Sequence, residues 1–309
     1  MIDLFQSIEY YRFLSETEML EPFRFSVFRD GECGILQGYV QGDGGAIKRF
    51  LSRRAIVNGG PFWREDATPE EKLELLKKAI DGLRQRVIYL ETRNFKDYST
   101  DRTLFEKAGF QYEPHYDFIV DTSSEEVVEA NMGKSRKRDV KASLKNGATV
   151  IDDPTLEEVH AFYEILKDLY KTKVKTPLFP LSFFEKLYQT SFSKFILVSY
   201  NQEIVGGTVC VFDDETVYEW FACGKDGVYK NVYPSTVATY YGILFAAQSG
   251  RRVFDMMGAG APGDGGYGVR DFKSKFGGKL VEYGRFKYIM NKPLYELGKL
   301  GVKLLKKMK

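Results

Sequence analysis

The chain carries few of the side chains that commonly perform metal or covalent chemistry. Its histidines are His115 and His160, and its cysteines are Cys33, Cys210 and Cys223. Two histidines in distant parts of the chain and three widely spaced cysteines form neither a metal-ligand motif nor a disulfide framework. The G-x-S-x-G elbow of serine hydrolases is absent as well. The sequence therefore predicts no metal site and no covalent acyl-enzyme, and its cysteine usage is typical of a reducing, cytoplasmic compartment.

Cations recur at helical spacing in the middle of the chain. Lys134, Arg138, Lys141 and Lys145 are separated by 4, 3 and 4 positions, so on a helix they share one face. Such a face suits phosphate groups, and it is equally typical of a solvated surface. The amphipathic C-terminal stretch 293–309 is rich in lysine and raises a similar pair of alternatives, an anionic lipid surface or a solvated cap.

Composition limits the class of protein. The 309 residues are 43% hydrophobic and 28% charged, which is typical of a folded globular chain with enough core for one large or two smaller domains. A net charge of +2 indicates no general affinity for acidic partners. No apolar run approaches the roughly 18 to 20 residues of a membrane span, and the N-terminus lacks the pattern of a signal peptide. We expect a protein without a transmembrane segment.

The elements that must position these residues form a repeat. Residues 25–40 have the pattern of two strands joined by an Asp-Gly turn, and the segment from Phe195 has the same pattern 170 positions later. Residues 71–91 and 104–120 recur in the same order at 235–257 and 272–290, at offsets close to 166 and 168. Ordered matches at nearly one offset predict an α/β fold with mixed sheets, made of two similar domains. We place the first domain at 1–146 and the second at 147–309, because the charged helical stretch 123–146 ends at Asn146-Gly147.

The two copies differ at one chemically informative position. Lys273 stands where the first copy has Phe105, so one copy has a cation where the other has an apolar ring. This divergence suggests that the second copy carries the chemistry, with a solvated surface lysine as the alternative. The nearby run from Gly258 to Gly263 spells G-x-G-x-x-G, but more glycines follow it, and a helix is not expected to begin within so flexible a run.

The segment around Lys273 resembles a known family. The run 268–278, GVRDFKSKFGG, is similar to the terminal F-K-x-x-F-G signature of the Fem aminoacyltransferases, which build peptidoglycan interpeptide bridges. Further similar pieces lie at 58–61, 218–222, 234–236 and 254–260, so the resemblance spans most of the chain. It implies two tandem GNAT-like domains, as the repeat also predicts, with a last helix, 293–309, that can return to the first domain.

The resemblance also implies a reaction. A Fem enzyme transfers an amino acid from aminoacyl-tRNA to a stem-peptide amine of a nucleotide- or lipid-linked peptidoglycan precursor, without a cofactor. Lys273 would then hold its cation against the developing oxyanion, and Phe272 would shape the pocket. Candidates of lower standing are Glu219, Asp255 and Arg270 as cleft residues or base, Trp220 and Tyr267 as substrate-binding residues, and Lys134, Arg138, Lys141 and Lys145 as a phosphate patch.

The chain departs from the family pattern after the long helix of the second domain. The family usually has Thr followed by an Arg that helps to bind the precursor, whereas this chain offers lysines, among them Lys173 and Lys175. Lysine and arginine bind phosphates differently, so the sequence does not fix the acceptor.

Two other functions stay open. One is a GNAT-type N-acyltransferase that uses acetyl- or acyl-CoA, with Glu219 as base, although residues 227–236 lack the Q/R-x-x-G-x-G/A turn that holds pyrophosphate. The other is a non-catalytic binder of nucleic acid or anionic lipid. Peripheral contact with the inner face of the membrane is compatible with either the Fem-type or the binding function.

Overall fold

The computed structural model describes residues 3–42, 45–174, 177–264 and 268–307. The chain divides into two compact units. Unit 1 consists of residues 1–115 together with 282–309, and unit 2 consists of residues 116–281.

Both units contain helices and strands. The helices are α1 (Ile8–Glu16), α2 (Ala46–Ser52), α3 (Pro69–Leu83), α4 (Arg102–Lys107), α5 (Glu125–Asn131), α6 (Lys134–Lys145), α7 (Leu156–Leu169), α8 (Leu181–Tyr188), α9 (Pro234–Gln248), α10 (Gly268–Ser274) and α11 (Lys292–Lys307). The strands are β1 (Glu21–Phe28), β2 (Glu32–Gln41), β3 (Arg54–Gly59), β4 (Phe62–Trp63), β5 (Tyr89–Asn94), β6 (Gln111–Glu113), β7 (Tyr116–Asp121), β8 (Thr149–Ile151), β9 (Ser193–Tyr200), β10 (Glu203–Phe212), β11 (Thr216–Gly224), β12 (Val253–Asp255), β13 (Lys279–Glu282) and β14 (Arg285–Ile289).

Each unit contains one mixed sheet. The first has the order β1-β2-β3-β5-β14-β6, with β4 beside β2, and the second has the order β13-β7-β12-β11-β10-β9-β8. Equivalent strands are parallel in the two sheets, β3 with β5 and β11 with β12. The predicted mixed α/β fold with an internal repeat is thus confirmed.

The last strand of each copy belongs to the sheet of the other copy. In unit 1, β14 lies between β5 and β6, and in unit 2, β7 lies between β12 and β13. The domain boundary expected at 146/147 therefore differs from the structure, in which the chain passes from unit 1 to unit 2 after residue 115 and returns to unit 1 after residue 281. Residues 116–146 belong to unit 2 because β7 pairs with β12 and because α5 and α6 pack against α9. Not only the last helix but all of 282–309 returns to unit 1.

Local sequence explains several element boundaries. Thr68 and Glu71 form a capping box at the start of α3, and Thr155 and Glu158 form the same motif at the start of α7. Between β9 and β10, Asn201 and Gln202 adopt positive φ angles of 51° and 64°, as a tight hairpin turn requires.

The predicted helical stretch 123–146 is two helices rather than one. α5 ends at Asn131 and α6 begins at Lys134, because the N–H of Gly133 between them donates a hydrogen bond of 3.0 Å to the carbonyl of Lys275. A Cβ atom at position 133 would lie 2.8 Å from that carbonyl oxygen, so this close approach requires glycine.

Helices cover both faces of the second sheet. Gly207 packs on Phe162 of α7, whereas the neighbouring Thr208 lies against Gly242 of α9. The α9 face holds a buried cluster that extends from Phe254 of β12 to Val128 of α5, Val140 of α6 and Phe276 after α10. This core fixes the end of β12 and the segment that contains Lys273.

Candidate active site

The candidate site lies at the carboxyl end of β12. β12 pairs in parallel with β11 only from Val253 to Asp255, whereas β11 continues to Gly224. After Asp255 the chain turns at Met257, which has a φ of 53° and whose N–H donates a 2.6 Å hydrogen bond to Asp255 Oδ1. The turn therefore ends the pairing of β11 with β12 at Tyr218, while β11 stays paired with β10 as far as Gly224.

Lys273 binds this turn from the last part of α10. Its ammonium donates hydrogen bonds to the carbonyl oxygens of Met256 at 2.5 Å, of Met257, and of Gly258 at 3.1 Å. All three N–H groups of the ammonium thus have backbone acceptors. Burial lowers the pKa of Lys273 below its ordinary value, and the neighbouring carboxylates oppose that change.

Three carboxylates on adjacent strands interact electrostatically with Lys273. They are Asp117 on β7, Asp255 on β12 and Glu219 on β11, and all three are buried. Glu219 Oε1 accepts hydrogen bonds from Thr239 of α9 at 2.7 Å and from Thr208 at 3.3 Å. Burial raises the pKa of Glu219, and Lys273 and the two hydroxyls only partly offset this effect.

Asp255 is the most unusual of the three. Burial raises the pKa of Asp255, while the hydrogen bond from Met257 and the charge of Lys273 act in the opposite direction. Its second oxygen, Oδ2, is buried and accepts no hydrogen bond from any of the residues that the structure describes. The site thus combines one cation with carboxyl groups that retain protons more strongly than usual, an arrangement suited to proton transfer.

The four defining residues of the F-K-x-x-F-G motif each have a structural role. Phe272 and Phe276 pack with their ring centroids 5.1 Å apart, and Phe276 is buried in the core. Lys273 binds the turn after β12. Gly277 has a φ of 85°, and a Cβ atom there would lie 2.5 Å from the carbonyl oxygen of Asn131. The motif therefore describes how α10 is fixed beside β12.

Arg270 assists Lys273 from one helical turn earlier. Its guanidinium donates hydrogen bonds to the carbonyl of Ala259 at 3.0 Å and of Ala261 at 2.7 Å, and it lies 5.0 Å from the ring centroid of Tyr116. Two cations of α10 thus bind five carbonyls between Met256 and Ala261. Tyr267, just before α10, lies outside the described residues.

The remaining substrate-binding candidates are not brought to this turn. Trp220 is an extra residue at a β-bulge of β11, and its ring packs 5.5 Å from Phe183 of α8, on the sheet face opposite α9. Lys173 is exposed in the turn that follows α7. Lys175 lies outside the described residues.

The structure adds two residues that the sequence did not single out for a role. Asp117 is one of the three carboxylates around Lys273. Arg136 of α6 stacks 4.4 Å from the ring centroid of Phe272 and donates 3.4 Å hydrogen bonds to the Phe272 carbonyl and to Asp139. Asp117 is a carboxylate inside the apolar strand of residues 116–120, but its place beside Lys273 depends on the long-range pairing of β7 with β12. Nothing in the run of cations distinguished Arg136.

The cations of the predicted phosphate patch are all exposed on α6. Among the described residues, no group of three or more His, Cys, Asp or Glu side chains is arranged to hold a metal ion. None of the helices in the described ranges is both long and apolar enough to cross a bilayer.

Comparisons with solved structures identify the fold. The crystal structure of FemX is 16% identical, with a TM-score of 0.72 over 96% of this chain and 94% of that one. L-PGS from Bacillus licheniformis is 16% identical, with a TM-score of 0.59 over 96% and 97%. A tandem GNAT protein from the clavulanic acid biosynthesis pathway is 8% identical, with a TM-score of 0.54 over 89% and 84%. At such low identities these similarities show the tandem GNAT-like fold.

One family model matches the segment that contains the site. No curated protein matches the chain in sequence. The FemAB family, however, matches residues 184–303, from α8 to α11, and this range includes Glu219, Asp255 and Lys273. Residues 184–303 thus match the FemAB family, in a chain whose fold is similar to that of FemX.

Proposed function

We propose that the protein is an aminoacyltransferase that moves an amino acid from aminoacyl-tRNA to a side-chain amine of a peptidoglycan precursor. The FemAB family match over residues 184–303 and the similarity of the fold to FemX support this activity. The observation that carries the proposal is the position of Lys273, whose ammonium lies at the end of β12 among three buried carboxylates. We further propose that the enzyme works in the cytoplasm, where both substrates are made.

The reaction requires one cation and one proton acceptor. The acceptor amine attacks the ester carbonyl of the aminoacyl-tRNA, the new C–N bond forms, and the C–O bond to the ribose breaks. Negative charge develops on the carbonyl oxygen, so Lys273 would stabilise it by donating to that oxygen in place of one backbone carbonyl.

The proton that leaves the amine must reach the departing ribose oxygen. A carboxylate is a better base when its pKa approaches the working pH. Burial raises the pKa of both Asp255 and Glu219, so either can accept the amine proton more readily than an exposed carboxylate. We favour Asp255, because its Oδ2 is not engaged by another described residue.

The start of α9 favours this function over acyl-CoA chemistry. An acyl-CoA enzyme of this fold needs free amides at the start of the helix after β11, to bind pyrophosphate. Here Asp226 accepts a 3.3 Å hydrogen bond from the N–H of Ser235 at the start of α9. A carboxylate in this position opposes the binding of an anion.

The test compares two lysines of the same segment. Lys273→Met removes the ammonium but keeps most of the side-chain volume, and we expect it to lower kcat for aminoacyl transfer by about 100- to 1,000-fold. Lys275→Met removes a cation that pairs with Asp271 at 2.6 Å and should retain activity. Because Lys273 also holds the turn, the folded fraction of each variant is measured by circular dichroism.

Two results would contradict the proposal. Full activity of folded Lys273→Met would exclude this lysine from the mechanism. Transfer from acetyl-CoA, without any transfer from aminoacyl-tRNA, would establish the acyl-CoA function instead.

A further inference from the structure

We propose that the exposed face of α6 binds the phosphate backbone of the tRNA whose aminoacylated 3′ end lies at Lys273. We call Lys134, Arg138, Lys141 and Lys145 the basic stripe. The inference rests on the proposed function and extends it, because it assigns a surface to the RNA part of the donor.

The geometry of α6 forms a continuous row of charge. At 100° per residue the four side chains fall within an arc of about 60°, and at 1.5 Å per residue they span about 16 Å. All four are exposed, whereas the opposite side of α6 buries Asp139, Val140 and Ser143. The stripe is therefore long enough to contact several consecutive phosphates.

The stripe is poorly neutralised by the protein itself. Arg138 lies 3.3 Å from Asp139, but that carboxylate is buried and is shared with Arg136. Within the described ranges, Lys134, Lys141 and Lys145 have no ion-pair partner. A charged face that is only solvated often intersperses acids with its cations, so this imbalance favours an anionic ligand.

One end of the stripe adjoins the candidate site. Gly133, immediately before Lys134, donates its N–H to the carbonyl of Lys275, two residues after Lys273. An RNA strand whose 3′ terminus reaches Lys273 therefore passes close to Lys134, the first cation of the stripe, and can continue along α6. This continuity distinguishes the stripe from scattered surface lysines.

The chemistry of the surface favours RNA over a membrane. Binding to a bilayer surface usually combines cations with exposed apolar side chains, and α6 exposes only Leu144, at 37%. A more suitable apolar surface lies in unit 1, where Phe50, Leu297 and Leu300 are each more than half exposed. The stripe carries charge without a comparable apolar area.

The experiment compares two fourfold variants of equal net charge. The stripe variant changes Lys134, Arg138, Lys141 and Lys145 to Gln, and the control variant changes the exposed cations Lys77, Lys107, Lys167 and Arg252 to Gln. We expect the stripe variant to raise KM for aminoacyl-tRNA at least about tenfold. The slope of log KM against the logarithm of the salt concentration should fall by up to about 3, at roughly 0.7 for each lost phosphate contact. It should also lose the preference of the enzyme for whole tRNA over a short aminoacylated 3′-terminal fragment. The single reversals Lys141→Glu and Lys145→Glu repeat the test with less change to the helix.

The outcomes separate the two proposals. If the enzyme transfers from aminoacyl-tRNA but the stripe and control variants share one KM and one salt slope, the stripe has no role in RNA binding. A stripe variant that keeps its KM for tRNA but no longer binds phosphatidylglycerol vesicles would assign the surface to a membrane and overturn the inference. If the protein binds tRNA through the stripe without transferring an amino acid, the inference stands and the proposed function fails.

Discussion

Asp255 couples the candidate site to pH through the stability of the protein. Burial raises its pKa from the ordinary value near 3.8 to about 7. Between these two pH values the carboxyl group of Asp255 is protonated in the folded state and ionised in the unfolded chain. Because the folded pKa is the higher one, this proton stabilises the folded state at acidic pH. The contribution is lost as the pH rises from about 4 through 7. Burial of Glu219 acts with the same sign.

Replacing Asp255 with Asn isolates this contribution. An Asn side chain cannot ionise, and its Oδ1 can still accept the hydrogen bond from Met257. We expect Asp255→Asn to resemble the wild type near pH 4.5 and to exceed its free energy of unfolding at pH 8 by at least about 1 kcal/mol, measured by urea denaturation across that range. The exposed Asp153→Asn should follow the wild type throughout. A wild-type advantage that grows with pH would show that Asp255 is charged and stabilising in the folded state.

Single residues differ in how far the sequence reveals their roles. The sequence singles out Lys273 as a candidate because the repeat places it opposite Phe105 and because it lies in a recognisable motif. The role of Asp117 could not, because a carboxylate in a short strand is commonly solvent-facing. Asp117 lies beside the site because β7 joins the second sheet next to β12, which is a long-range pairing.

Among the helices, α6, α9 and α10 are joined by one side chain. Arg136 of α6 donates to Thr236 Oγ1 of α9 at 3.3 Å and to the carbonyl of Phe272 in α10 at 3.4 Å, and it stacks on the Phe272 ring. Burial lowers its pKa somewhat, in spite of the opposing charge of Asp139. We interpret Arg136 as a positioning residue that holds α10, and through it Lys273.

The variant Arg136→Met tests this role. It keeps a long apolar side chain against Phe272 and Phe276 but leaves the Phe272 carbonyl and Thr236 without their donor. We expect a loss of about 1 to 3 kcal/mol in the free energy of unfolding. We also expect kcat for aminoacyl transfer to fall more than KM changes, because substrate contacts persist while Lys273 is misplaced. Lys137→Met, which removes the neighbouring cation, should change neither the free energy of unfolding nor kcat. An Arg136→Met enzyme with wild-type kcat would reduce Arg136 to a purely structural residue.

The elements themselves were predictable where local signals agreed. Periodicity and a capping threonine or an initial proline identify α3, α7 and α9 close to their observed bounds. The interruption between α5 and α6 was not predictable, because it depends on the contact of Gly133 with Lys275, about 140 positions away. Local propensity does not report such contacts.

At the scale of the whole molecule, the repeat predicts two similar sheets but not which strand completes each one. β7 and β14 occupy equivalent positions in the two copies, and both have the apolar pattern of an inner strand. The pattern shows that each must be buried, yet it is satisfied in either sheet. The exchange of the last strands between the two copies is therefore visible only in the structure. It explains why a boundary drawn between the copies at 146/147 was wrong.

The exchange makes unit 1 dependent on the end of the chain. β14 pairs with both β5 and β6, and Phe286 stacks on Phe105 with ring centroids 3.9 Å apart. A chain that ends at Tyr283 lacks this central strand, so we expect the amides of β5 to lose protection in hydrogen exchange and the unfolding transition to lose cooperativity. A chain that ends at Asn291 keeps β14 and lacks α11, in which none of the side chains at 292–301 is buried, and it should retain both properties. Protected β5 amides in the shorter chain would mean that β5 and β6 form a stable sheet without β14, and that the exchanged strand is not needed for unit 1 to fold.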